Sequence, residues 1–526
     1  MLDAVIKNST LFGLPGGKSA VADLGIRDGR ICAVGKVEAQ AHRVVDGTGY
    51  YTLPGFVDCH SHSDYYLLID PSAAGKLRQG VTTEVGGNCG YSSAPIAGDI
   101  LKVRREAYKE QFGLDLDWKD FAEYWARLKQ KGSAVNYAGL IGYNTVRASV
   151  LGSKDVRAEG EGKEKMKAAI RENLAQGAAG MSVGLVYPPA CFATKEEMTE
   201  MVAEVQKAGK IFTTHIRSEG QTLVESIEEV IEIARRTGVK LQISHLKTAG
   251  KDNWHKLDRV FELIESGRAQ GVDIECDRYP YTASNTGLQV VLPDWAFDGG
   301  RDAILERLKD SATRAKLKEE ILKNHPEPEY WDTVMVSQVA TRLNYDMQGL
   351  TVRQGSEARG KDPFTFIFDL LLEEKTEVEA IYFCMNESNM DRIILKDYVM
   401  VGSDAGARSV DGPLGIGRPH PRTFGTFPRF FREYVFGKKL VSMADAVHKT
   451  STAACERFGL EKRGLLAEGY HADIVMFHPE RVADTAGYEN PLSYPRGIDY
   501  VWVNGVLTLD KGEYTGACAG RGLEIP

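Results

Sequence analysis

The chain has no closely spaced cysteine pair, no apolar run of membrane-spanning length, no low-complexity segment and no internal repeat. Each absence removes a class of reading. The eight cysteines (Cys32, Cys59, Cys89, Cys191, Cys276, Cys384, Cys455 and Cys518) are scattered along 526 residues, which speaks against a disulfide framework and suits a reducing compartment. A membrane helix needs about 20 consecutive apolar residues, and none are present. The first residues, "MLDAVIKNST", place Asp3 and Lys7 where a secretory signal requires a basic start followed by an apolar stretch. A soluble protein of the cytoplasm is expected. Charge is not one-sided either: 65 Lys and Arg against 73 Asp and Glu leave a net −8, which gives no electrostatic footprint for nucleic acid or an anionic membrane surface. Chemistry on a small molecule is the remaining expectation.

What is present is a long globular chain, 43% hydrophobic and 26% charged, more than one hydrophobic core usually holds. Residues 1–54 and the stretch after Arg463–Gly464 both consist of short β-type runs broken by Gly, Asn and Asp turns such as "RDGR" and "VNG". They are expected to pair into one small β-sandwich, 1–54 with 462–526. Between them, residues 55–461 alternate five- to eight-residue apolar runs with helix-periodic stretches such as "TKEEMTEMVAEVQKAGK", the βαβ rhythm of a parallel sheet. Eight strands are expected at 55–60, 81–86, 134–141, 178–185, 211–215, 241–245, 271–276 and 398–402, with 334–339 and 379–385 competing for places. That is an α/β fold, either a helix-wrapped barrel or an open sheet. The stretch 288–349 interrupts the alternation and reads as an insertion of the kind that forms lids or specificity elements.

Metal-binding residue types stand at the C-terminal ends of these strands. His60 and His62 follow "GFVDC", Cys89 follows "VTTEVGGN", His215 ends "KIFTTH", His245 ends "VKLQISH" and Asp404 ends "DYVMVGSD". In parallel α/β folds that end of the sheet gathers the loops and the active site. The i, i+2 spacing puts both imidazoles of "HSH" on one face of an extended chain, and Asp64 continues that face. Cys59 alternates with His60 and should be a buried bystander. Imidazole and thiolate are good zinc ligands, and a zinc site not filled by protein activates water near neutral pH. Structural zinc sites instead take four ligands from closely spaced loops, which this sequence lacks. Each residue has a plainer reading, as a packed histidine, an interior cysteine or a turn-capping aspartate. The joint pattern carries the expectation of metal-assisted hydrolysis.

Those same residues carry a resemblance. "YYTLPGFVDCHSH", "GVTTEVGGNCGYS", "GAAGMSVGLVYPP", "THIRSEG", "ISHLKTAG", "DRYPYTASNT", "VGSD" and "HPRTFGTFPR" together resemble the amidohydrolase superfamily and, within it, the D-aminoacylase (N-acyl-D-amino-acid deacylase) family. The likeness is weakest from about Leu288 to Gly349. It implies a (β/α)8 barrel of the TIM type with a small β-sandwich from both termini. It also implies a tight zinc site at Cys89, His215 and His245 and a weaker second site at His60, His62 and Asp404, with Cys89 able to bridge. Asp404 would be the general base that takes a proton from water and returns it to the leaving amine. The substrate would be an N-acyl-D-amino acid or similar peptide-like molecule, its α-carboxylate held by Lys247 and Tyr279. The family has a serine where this chain has Asn285, with Ser284 displaced by one, so the third carboxylate contact departs from the pattern. Tyr187, Arg217 and Glu219 are candidates for the rim of the site, and the His420–Arg422 loop motif has no role derivable from sequence.

Three other functions remain to be weighed. A dipeptidase releasing a C-terminal D-residue shares every motif. A cyclic-amide hydrolase of the hydantoinase or dihydroorotase kind typically has a lysine at the fourth strand end, where "GMSVGLVY" has none. A catalytically silent binding protein on the same barrel should have lost a ligand or Asp404, and none is missing.

Overall fold

The computed structural model describes residues 1–526. Its centre is one parallel sheet of eight strands, Phe56–Asp58, Val81–Gly86, Asn136–Gly142, Gly180–Gly184, Ile211–His215, Lys240–Ile243, Ile274–Arg278 and Val399–Val401, adjacent in chain order. Each overlaps one of the eight runs picked from sequence. The first and last strands meet through a parallel bridge between Ser61 and Ala405, and the Asp404 N–H donates to the His60 carbonyl at 2.8 Å. This seam closes the sheet into a barrel.

The helices between strands follow from pattern and caps. In Leu223–Thr237 the buried Leu223, Ile227, Val230, Ile231 and Ala234 recur every three or four residues, which makes one apolar stripe against the barrel. Arg235 and Arg236 lie in its last turn, and Gly238 ends it in the left-handed conformation at φ +75°. Lys195–Lys207 begins at Thr194, whose side chain accepts from the Glu197 N–H. No helix is long and apolar enough to cross a membrane.

The two ends of the chain form one mixed nine-stranded sheet, joined where Tyr51–Pro54 runs antiparallel to Ile474–Phe477. Ile6, Leu24 and Ile31 share a core cluster with Ile474, Met476 and Trp502, so this sheet folds over its own small core. Both turns read from sequence are hairpins: Asp28 and Gly29 have φ of 51° and 76°, and Asn504 and Gly505 have 49° and 81°. Two central residues with positive φ match the twist of the flanking strands.

The interruption of the barrel is longer than 288–349. A three-stranded antiparallel sheet sets Ser284–Gly287 and Val334–Val339 on either side of a central Val378–Tyr382. It packs with the helices Gly300–Lys309, Ser311–Asn324 and Pro363–Glu373 about a separate core of 24 residues that includes Trp331, Phe366 and Leu371. The runs 334–339 and 379–385 belong here, not in the barrel. A buried strand of an added sheet has the same apolar composition as a barrel strand, so local pattern places its start and end too narrowly.

Candidate metal centre

The alternation of an extended chain explains how "DCHSHS" divides. His62 Nε2 lies 3.0 Å and His60 Nε2 3.5 Å from Asp404 Oδ1. Cys59 faces the other way, with its sulfur 3.5 Å from the Val401 carbonyl. Asp64, on the histidine face by sequence, instead accepts a hydrogen bond from Tyr137 Oη at 3.0 Å and lies outside the ligand groups.

Two sets of donor atoms converge, His60, His62, Cys89 and Asp404 in one and Cys89, His215 and His245 in the other, and the atoms within each lie within 4.8 Å of one another. Cys89 belongs to both: its sulfur is 3.3 Å from His60 Nε2 and 3.5 Å from His245 Nε2. The glycine-rich flank is what lets it reach there. Gly90 has φ +82°, and a Cβ on it would collide with the Asn144 side chain and the Gly184 nitrogen. Cys89, His245 and Asp404 themselves hold φ of +53°, +37° and +51°. Left-handed backbone outside glycine costs of order 1–3 kcal/mol per residue and collects at functional sites.

The electrostatics suit a cation. Burial alone would raise the Cys89 thiol, but the His60 and His245 imidazoles and hydrogen bonds from His215 and His245 bring it well below its ordinary value. A thiolate is the form that binds metal. Burial would likewise raise Asp404, yet the Arg422 guanidinium, with Nη1 2.8 Å from Oδ2, and the surrounding imidazoles hold it well below the carboxylate range. His245 Nδ1 is 2.9 Å from Glu219 Oε1, and His60 Nδ1 is 3.0 Å from Asp277 Oδ1. A carboxylate beside Nδ1 of these two rings favours the tautomer that leaves Nε2 free for a metal, whereas His215 Nδ1 has no partner. The donor set, a thiolate shared between two groups together with four imidazoles and one carboxylate, therefore fits one or two zinc ions.

The residues expected to meet substrate are placed as follows. Lys247 is 3% exposed; its ammonium contacts Glu219 and lies 2.7 Å from His245 Nδ1. Tyr279 is fully buried with no partner for its hydroxyl, and its ring lies between the guanidinium groups of Arg278 and Arg422, 4.2 and 4.5 Å from the ring centre. Such a hydroxyl calls for a partner. The Tyr187 ring stands 4.9 Å from that of His215, and its Oη is 3.0 Å from Thr286 Oγ1. The Asn285 amide is taken up within the added sheet, donating to Glu379 at 3.0 Å and accepting from Ser337 at 3.1 Å. Ser284 Oγ lies 3.8 Å from the Cys384 sulfur. Arg217 donates to Glu229 and to the carbonyls of Cys191 and Ala193, which ties the loop after the fifth strand to the one after the fourth.

Two contacts had no sequence signal. Arg422 reaches Asp404, and His420 sets it in place: burial and the nearby Arg422 charge push its imidazole well below its usual value. The neutral ring accepts from the Arg422 N–H on Nδ1 at 3.0 Å, with Nε2 3.0 Å from the Ala283 carbonyl. Glu219, read only as a rim residue, sits between His245, His215 and Lys247.

The family model described as "Amidohydrolase family" matches residues 51–508. A D-aminoacylase of Alcaligenes xylosoxydans xylosoxydans is 35% identical over 99% of this chain and 97% of its own length. Among solved structures, an N-acyl-D-glutamate deacylase from Bordetella bronchiseptica, complexed with zinc and a phosphonate that mimics the tetrahedral intermediate, superposes with a TM-score of 0.83 at 29% identity over 99% of both chains. A D-aminoacylase structure concerned with its binuclear metal centre gives the same TM-score at 32% identity over 100% of both chains. This chain belongs to the amidohydrolase family, in the branch of the D-aminoacylases and N-acyl-D-amino-acid deacylases.

Proposed function

We propose that this chain is a zinc-dependent hydrolase that cleaves the linear amide bond of N-acyl-D-amino acids, giving a carboxylate and a free D-amino acid. The observation that carries it is the pair of donor sets sharing Cys89 next to Asp404, with a cation-flanked phenol beside them. Similarity to the D-aminoacylase and to the zinc-bound D-glutamate deacylase supports both metal and substrate class. Cys89, His215 and His245 would hold the tighter zinc, and His60, His62 and Asp404 a weaker second one. Bound zinc supplies Lewis acidity toward a carbonyl oxygen and toward water. Asp404 takes the proton from water and returns it to the leaving nitrogen. Arg422 keeps that carboxylate ionised and oriented. Lys247 and Tyr279 bind the α-carboxylate by charge and by a hydrogen bond from the unpartnered hydroxyl. The eight cysteines are all free, in keeping with a cytoplasmic protein.

A cyclic-amide hydrolase is disfavoured at the same place as before: the fourth strand, Gly180–Gly184, runs into Leu185 without a lysine, and Cys89 stands between the two donor sets instead. The test is amine release from matched N-acetyl-D- and N-acetyl-L-amino acids, with D-terminated dipeptides and a hydantoin alongside. Turnover of the D-acyl series supports the deacylase. Turnover confined to dipeptides or to the cyclic amide replaces it.

A further inference from the structure

We propose that Lys76 is a positioning residue that, through Asp58 and Ser403, holds Asp404 against His60 and His62. The inference rests on the reading of Asp404 as the base. Behind the ligands lies a polar cluster in which Lys76, Asp58, Glu84 and Ser403 are all 0% exposed. The Lys76 ammonium uses its three protons on Asp58 Oδ2 at 2.5 Å, Ser403 Oγ at 2.7 Å and the Ala405 carbonyl at 2.8 Å. Asp58 in turn accepts from the Ser403 N–H at 2.8 Å and the His60 N–H at 3.3 Å. Glu84, 3.6 Å from Lys76 Nζ, accepts from both Ser61 and Ser63, and the Ala407 N–H donates to Ser63 Oγ at 2.8 Å.

The cluster thus grips alternate residues of two loops. His60 and His62 face the metal site, while Ser61 and Ser63 face the cluster. Ser403 and the Ala405 carbonyl are held by Lys76, and Asp404 between them is turned to the ligands at φ +51°. A strained backbone of this kind persists only when its surroundings over-determine it. Packed apolar side chains often stabilise a core as well as a buried ion pair does, so a buried ammonium between two carboxylates at this seam is better explained by geometry than by stability.

The test compares Lys76→Met and Ser403→Ala with the unaltered, zinc-loaded chain, on the N-acetyl-D-amino acid it turns over best. Positioning predicts kcat reduced about 10- to 100-fold, KM unchanged, zinc affinity of the tighter site unchanged, and no further loss when Ser403→Ala is combined with Asp404→Asn. An unchanged kcat in Ser403→Ala, or losses that simply add in the double variant, overturns the proposal. Should Lys76→Met fail to fold, Ser403→Ala decides alone. Should the unaltered chain hydrolyse nothing, the deacylase reading fails separately, and zinc titration decides. Positioning then predicts that Ser403→Ala weakens the second zinc about 10- to 100-fold and leaves the first intact; equal weakening of both, or of neither, overturns it.

Discussion

Replacing Glu219 by Gln keeps its shape and removes a charge that two neighbours depend on. Glu219 Oε1 lies 2.9 Å from His245 Nδ1 and contacts the Lys247 ammonium, and the Lys247 and Glu219 side chains are 2% and 16% exposed. Removing one partner of a buried pair leaves an uncompensated charge, which costs about 3–5 kcal/mol. That is a large share of the roughly 5–15 kcal/mol that holds a domain folded. Losing the carboxylate behind a metal-binding imidazole also weakens metal affinity by about 10- to 100-fold. Urea unfolding of chelator-stripped protein, followed by circular dichroism, reads the first effect, and competition with a fluorescent zinc chelator reads the second. The double variant Glu219→Gln/Lys247→Met separates them: it removes both charges, so stability returns toward that of the unaltered chain, while zinc affinity stays low because His245 still lacks its carboxylate. A single variant within about 0.5 kcal/mol of the original, or a double variant less stable than the single, would refute this account of the pair.

Asp404→Asn should retain zinc at Cys89, His215 and His245 and lose about 10²- to 10⁴-fold in kcat, measured by amine release and elemental analysis on one preparation. Cys89→Ala removes the ligand common to both donor sets, so it should fold, by near-ultraviolet circular dichroism, yet fail to retain zinc through gel filtration. Tyr279→Phe deletes a buried hydroxyl that has no partner in the protein. Its urea midpoint should therefore hold or rise while KM increases, because a hydrogen bond to a charged group is worth about 1.5–3 kcal/mol. A fallen midpoint with unchanged KM would make Tyr279 structural.

The barrel was legible because its strands are short apolar runs alternating with helical stretches, because five of them stop at a residue with obvious chemistry, and because parallel strands place those stops at one end. The hairpins at Asp28–Gly29 and Asn504–Gly505 were legible from turn chemistry alone. The added sheet was read too short, since Ser284–Gly287 has little apolar character and Val378–Tyr382 looks like any barrel strand. In the site, the ligands were visible as residue types, but the groups that orient them were not. Lys76 lies 327 positions from Ser403, and nothing in either local sequence pairs them. Asn285 stood out as a departure, and its amide is occupied by Glu379 and Ser337. Arg217 looked like a rim cation and instead ties two loops together.

The most direct measurement is zinc K-edge X-ray absorption on the zinc-loaded chain. A site built on Cys89, His215 and His245 requires a sulfur neighbour at about 2.3 Å with nitrogen at about 2.0–2.1 Å. A spectrum fitted by nitrogen and oxygen alone in the unaltered chain would contradict it.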